Sequence, residues 1–239
     1  MRSRAAALGI ALLATLTGPA GADGYAEFDQ ALRGTWDGVR AALHYLRTGN
    51  PMVAELELDG AQTRFAALHG LGAMPEPWRL VPASAATLDE VGRQLGDAGK
   101  ALAASDLDAA RTALEPIGPG LAELRRAAGI WWFGDCVAEM NLAIAGLRPF
   151  DRPEVALADA ATADSVKAAA AVAQHVWTRC QALAPPEVAA APEFQRLTGG
   201  SLRSLPLIAG AVDAQDPERL HLILIELWSF DRLVWLQYG

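Results

Sequence analysis

Two cysteines, Cys136 and Cys180, are the residues of this 239-residue chain with the most distinctive chemistry. Thiols in an oxidising compartment pair as disulfides, whereas two thiols without a C-x-x-C spacing or a spaced histidine make a poor zinc site. A disulfide requires the helix that carries Cys180 to begin near Asp164, because a start at Pro153 would separate the two thiols by several turns. We therefore expect a disulfide, and a dithiol or a metal thiolate is the alternative.

Histidines and methionines form a second group of candidates, for haem or copper. Met140 and His221 fall at about the same height on neighbouring predicted helices, which is what a non-covalent haem with two axial ligands needs. A copper site in an oxidising compartment would use the His and Met residues around the first predicted hairpin: His44, Met52, His69 and Met74. The simpler interpretation makes all of them structural residues, so we expect no cofactor, with haem b or copper as the alternative.

No catalytic motif is found in the sequence. It contains no G-x-S-x-G elbow, no H-E-x-x-H zinc motif and no Walker-type phosphate loop. A C-x-x-C-H motif is also absent, which excludes covalent attachment of a c-type haem. We therefore expect a protein that is not an enzyme.

Tryptophans are concentrated in the second half of the chain, which holds five of the seven. Trp131 and Trp132 precede Cys136 by about one helical turn, and Trp177 lies one turn before Cys180. A large apolar core end around a disulfide is the simplest explanation. The functional alternative is an exposed aromatic patch for a protein partner. The candidates for that patch are Trp131, Trp132, Trp228 and Trp235.

The helices that must position these residues occur as two similar sets. In the first set, apolar residues at spacings of 4, 3, 4 and 3 mark one helix face: Leu32, Trp36, Val39, Leu43 and Leu46. The same spacing recurs 101 residues later: Phe133, Val137, Met140, Ile144 and Leu147. Asp106 and Asp216 are the expected N-caps of the last helix in each set. The pattern indicates an internal duplication.

We predict an all-α protein of two tandem up-down-up-down four-helix bundles, because short connections make antiparallel neighbours. The predicted helices of the first bundle are 25–48, 51–69, 84–103 and 106–128. Those of the second are 131–147, 162–184, 193–213 and 217–237. Pro116 and Pro119 should kink the fourth helix. The domains are then a leader at 1–22 and bundles at 23–128 and 129–239.

Residues 1–22 have the layout of a secretory signal peptide. Arg2 and Arg4 precede an apolar run at 5–18, and small residues follow up to a cleavage site near Ala22. Loss of the two arginines changes the formal net charge of the chain from −8 to −10. Because the mature chain is this acidic, nucleic acid and anionic membranes are disfavoured as partners. The later helices are interrupted by polar residues, so the mature chain should have no transmembrane segment.

A signal segment followed by amphipathic four-helix units resembles the periplasmic cytochrome c-prime and b562-like bundles. The likeness covers the helix pattern of each half and implies the fold and a periplasmic location. Because C-x-x-C-H is absent, the family's haem attachment has no counterpart here, and for function the likeness is analogy. We expect a secreted or periplasmic binding or accessory protein that serves a redox or envelope system through a protein partner. A haem- or copper-binding carrier is the alternative.

Overall fold

The computed structural model describes residues 20–239, with side chains from residue 24 onward, and every regular element in this range is helical. The helices of the first half are α1 Ala20–Arg47, α2 Pro51–Ala67, α3 Ser84–Ala103, α4 Leu107–Leu114 and α5 Ile117–Ala127. Those of the second half are α6 Phe133–Ala145, α7 Ala160–Leu183, α8 Pro186–Ala189, α9 Pro192–Ser204, α10 Leu207–Asp213 and α11 Pro217–Tyr238. The all-α prediction is confirmed. The predicted signal segment lies outside the described residues except for its last three positions.

The repeated apolar spacing marks the buried faces of α1 and α6. All five residues of that face are buried in α6 and the turn after it, and four of the five are buried in α1. The exception is Trp36, which is partly exposed and packs against Trp235 of α11 with ring centroids 5.9 Å apart. The 4-3-4-3 spacing therefore predicts the core-facing side of both helices.

Prolines and aspartates set the ends of several helices. Asp106 accepts a hydrogen bond from the backbone N–H of Ala109, and Asp216 accepts one from Arg219, so both predicted N-caps are confirmed. The predicted fourth helix is divided between α4 and α5, with Pro116 at the break, as expected of a residue that cannot continue the hydrogen-bond ladder. Pro206 divides α9 from α10 in the same way, although the sequence pattern predicts one continuous helix there.

The buried apolar side chains form two clusters, one within residues 28–132 and the other within 133–234. In the first half, α1 packs on α2, α2 on α3, and α3 on α4 and α5, which return to α1. In the second half, α6 packs on α7, α7 on α9 and α10, and these on α11, which returns to α6. Each half thus buries its own core. Between residues 20 and 239, no helix is long and apolar enough to span a bilayer.

The two cysteines lie at disulfide-bonding distance between α6 and α7. Their Cα atoms are 5.6 Å apart, and both side chains are buried. Helix α7 begins at Ala160, where Asp159 caps it, and not at Pro153. Cys180 therefore lies level with Cys136, and the predicted pairing of the cysteines is confirmed.

Candidate functional site

The segment between α5 and α6 carries two adjacent tryptophans on opposite sides of the chain. Gly129 ends the preceding helix with a φ of +69°, a value that favours glycine. Trp132 then adopts an extended conformation, and its backbone N–H donates to the carboxylate of Asp135, 3.0 Å away, which caps α6. Trp131 is exposed whereas Trp132 is buried, so the first ring faces outward and the second faces inward.

The ring of Trp132 is held by charged side chains of the first half of the chain. Its indole Nε1 donates to Asp29 of α1 at 2.9 Å. The guanidinium carbons of Arg33 and Arg125 lie 4.4 Å and 4.0 Å from the centroid of its ring. Arg33 is paired with Asp29, and Arg125 with Asp135. The ring therefore has two cation–π partners, and each cation has its own carboxylate.

Burial removes Trp132 from the set of surface candidates. Its side chain is only 4% exposed, and it packs in the core of the first half, with its ring centroid 6.5 Å from that of Trp78. The residue that begins the second set of helices thus completes the core of the first set. Trp132 serves as a joint between the halves, and it offers no surface to a partner.

Trp131 faces solvent in a groove between α5 and α6. Its side chain is 52% exposed, and that of Leu142, on the same groove, is 70% exposed. The groove has a volume of about 380 Å³. It is open because α5 packs on α3 and α4, while α6 packs on α7 and α11. The remaining lining residues are Ala122, Arg126, Ile130, Asp135, Ala138 and Glu139.

The two acidic residues of this groove already have cationic partners. Asp135 pairs with Arg125 and also accepts the Trp132 N–H, and Glu139 pairs with Arg179 of α7. Arg126 is exposed, and no carboxylate of the described residues lies within ion-pair distance of it. The groove therefore combines an apolar floor with one uncompensated positive charge.

The other tryptophan candidates contribute less exposed surface. Trp235 is partly buried against Trp36, so it contacts the first half of the chain. Trp228 is also partly buried, and the guanidinium carbon of Arg148 lies 6.0 Å from its ring centroid. Of the four candidate tryptophans, Trp131 alone is predominantly a surface residue.

The proposed haem ligands Met140 and His221 lie at different heights of the α6–α11 pair, which corrects the expectation that they are level. Asn141 of α6 contacts Asp231 of α11, whereas His221 of α11 contacts Asp151, which lies beyond the end of α6. Ten residues separate His221 from Asp231, which is about 15 Å along a helix. Met140 is fully buried, whereas the His221 side chain is 51% exposed and its Nδ1 lies 2.5 Å from Asp151.

The four residues considered for copper separate into two pairs. His44 and Met52 lie at one end of the α1–α2 hairpin, and Met52 is 79% exposed. His69 and Met74 lie at the other end, beyond the 17 residues of α2, which is about 25 Å away. This second pair lines one cavity of about 240 Å³. Across residues 20–239, no three His, Cys, Asp or Glu side chains are arranged to hold a metal ion together.

A buried carboxylate, Asp231, lies outside the candidates that sequence patterns suggest. Its side chain accepts a hydrogen bond of 2.7 Å from Asn141, and the residue is 7% exposed. Burial raises its pKa to about 6, although the Asn141 hydrogen bond and the charges of Arg148 and Arg232 act in the opposite direction. One signal does point to it: Asp231 occupies the apolar seam of α11, four residues after Leu227 and three before Val234.

No family model, no curated protein and no solved structure matches this chain. The geometry of the chain itself is therefore what indicates its function.

Proposed function

We propose that this chain is a secreted or periplasmic binding or accessory protein that works without catalysis, for a redox or envelope system. The cysteine pair supports an oxidising compartment, and the arrangement of residues 1–22 supports export. If the proposal is correct, protein recovered from the exported fraction will begin near Asp23 when its N-terminus is sequenced. A cytoplasmic location with an intact Met1 would contradict the proposal.

The architecture we propose is two tandem four-helix units related by duplication, at 23–128 and 129–239. It is supported by the closed ring of helix contacts in each half, the two separate cores and the 101-residue offset between α1 and α6. The second unit differs from the first in its cysteine pair and in the tryptophans near it. We place the binding surface in the groove where the two units meet, because Trp131, one of these tryptophans, lines it.

The observation that carries the proposal is the joint exposure of Trp131 and Leu142 on one groove. The backbone N–H of Ile130, just before Trp131, donates to the Arg125 carbonyl, and the buried Trp132 follows, so the backbone of Trp131 is anchored on both sides. An exposed aromatic side chain on a rigid support loses little conformational entropy on binding, which is why such residues dominate interface energies.

Site-specific crosslinking in the organism that makes the protein tests this placement. A photoreactive phenylalanine analogue at position 142 should form a discrete adduct, and the adduct should disappear when Trp131 is replaced by Ala. The control position is Leu207, which is also exposed but lies on α10. Adducts of equal yield at 142 and 207, or adducts that survive Trp131→Ala, would contradict a site in the groove.

A copper carrier is the second candidate, and the observation in its favour is the cavity that His69 and Met74 share. Imidazole and thioether ligands together suit copper. Titration with Cu(I) should then give one site per chain that is lost in His69→Ala and kept in His44→Ala, since His44 lies at the far end of the hairpin. Retention of copper by His69→Ala would exclude this site. A Soret band in protein purified from its own compartment would support haem.

A further inference from the structure

The shape and charges of the groove indicate what kind of partner binds there. This inference rests on the proposed function. Its floor is apolar, formed by Trp131 and Leu142 with smaller side chains between them. Its volume of about 380 Å³ lies at the low end for small-ligand sites. A few side chains of a peptide segment fill such a space, whereas a flat protein surface does not enter it.

The charges of the groove indicate which segment fits. Both oxygens of Asp135 have partners within the chain, and Glu139 is paired with Arg179 of α7, so each acid already has a cationic partner in the chain. Arg126 lies in the last turn of α5 and has no carboxylate partner among the described residues. Its guanidinium prefers a planar, bidentate anionic group, and a carboxylate is such a group.

We propose that the groove binds a segment of another protein in which an Asp or Glu side chain lies next to bulky apolar side chains. The apolar side chains cover Trp131 and Leu142, and the carboxylate pairs with Arg126. A second copy of this chain is disfavoured as the occupant because two mature chains of net charge −10 repel each other.

Peptide selection on the purified protein tests the chemistry of the occupant. Displayed 12-residue peptides are selected on the wild type and counter-selected on Leu142→Asp. We expect the survivors to combine an acid with Leu, Ile, Phe or Trp. In fluorescence anisotropy, changing that acid to its amide should weaken binding about tenfold, the usual effect of losing a charge-assisted hydrogen bond.

Changes at Arg126 provide the matched control. Arg126→Gln should weaken the acidic peptide about tenfold and leave the amide peptide unchanged, and Arg126→Glu should prefer a peptide in which Lys replaces the acid. Arg126 is exposed and has no ion pair among the described residues, so thermal unfolding should be the same in these variants.

The outcomes separate this inference from the proposed function. Peptides that need Leu142 but carry no acid, or that bind Arg126→Gln with full affinity, would overturn the inference and leave the groove as the binding site. A failure to select any peptide that depends on Leu142 would overturn both. Sedimentation that shows a dimer abolished by Leu142→Asp would replace the peptide with a second copy of the chain.

Discussion

Trp131 and Trp132 show how neighbouring residues of one type acquire different roles. Asp29 and Arg33, about 100 residues earlier in the chain, enclose Trp132, whereas Trp131 has no comparable enclosure and remains half-exposed. The difference comes from the tertiary partners, which supply a hydrogen bond and two cations to one indole.

Trp132→Ala should lower the free energy of unfolding by roughly 3–5 kcal/mol, the usual cost of removing a large buried aromatic side chain. It also leaves Arg125 buried without the ring that covers it. Trp131→Ala is the matched control and should change stability by less than about 1 kcal/mol, since surface substitutions have small effects. Urea unfolding followed by circular dichroism measures both values. Equal losses for the two variants would contradict the assignment of Trp132 as the joint.

Asp231 should make the protein less stable as the pH rises, whereas a carboxylate with a lowered pKa makes a protein more stable as the pH rises. Its pKa of about 6 in the folded chain is higher than the ordinary value of 3.8. The stability linked to this group is therefore fully present below about pH 4 and is lost as the pH rises through about 6. A difference of about two pKa units corresponds to roughly 3 kcal/mol.

Asp231→Asn tests this pH dependence because it keeps an oxygen that can accept the Asn141 hydrogen bond. Between pH 4 and pH 8, the unfolding free energy of the variant should rise relative to wild type by roughly 3 kcal/mol. Asp89→Asn, at an exposed position of α3, should follow the wild-type profile. If the Asp231→Asn curve stays parallel to that of wild type, the carboxylate is not buried as described.

At the scale of elements, the disulfide fastens α6 to α7. The bond closes a loop of 44 residues in sequence separation, and the chain-entropy treatment gives roughly 4 kcal/mol of stabilisation for such a loop. Cys136→Ala with Cys180→Ala should lower the free energy of unfolding by about that amount. Adding dithiothreitol should destabilise wild type in urea unfolding and leave the double variant unchanged. A wild type that is indifferent to the reductant would contradict this contribution.

Replacing glycine by alanine should change stability in opposite directions at two helical positions. A Cβ atom at Gly38 of α1 would lie 2.9 Å from both the Ala61 Cβ and the Glu57 carbonyl oxygen of α2, so the helices must move apart. We expect Gly38→Ala to cost about 1–3 kcal/mol. Gly96 of α3 has nothing within 4 Å of such an atom, so Gly96→Ala should gain up to about 1 kcal/mol from helix propensity. Thermal unfolding measures both changes, and two shifts of the same sign would contradict the close α1–α2 contact.

The elements differ in how well the sequence predicts them, and the reason is physical. The caps at Asp106 and Asp216 and the seams of α1 and α6 are local patterns, so they are predicted correctly. The relative height of Met140 and His221 depends on residues 146–159, which hold a short 3₁₀ turn but no periodic pattern. The groove between α5 and α6 is equally hard to predict, because it is a space left open by helices that pack elsewhere.

At the scale of the whole molecule, aromatic side chains and the Arg125–Asp135 ion pair connect the two halves of the described chain. Trp132 joins the second set of helices to the first core, and Trp36 of α1 meets Trp235 of α11 edge to face. The contact region between the halves is small compared with either core. Removing a few of its side chains should therefore let the two halves unfold independently.

The halves should therefore unfold together in wild type and separately once the joint is removed. We expect one calorimetric transition for wild type, and two for the double variant Trp36→Ala/Trp132→Ala, because each core is closed by its own ring of helices. Dithiothreitol distinguishes the two transitions. It should lower the transition temperature of the second half, which contains Cys136 and Cys180, and leave that of the first half unchanged. A double variant with one transition would show that the cores are coupled beyond these two tryptophans.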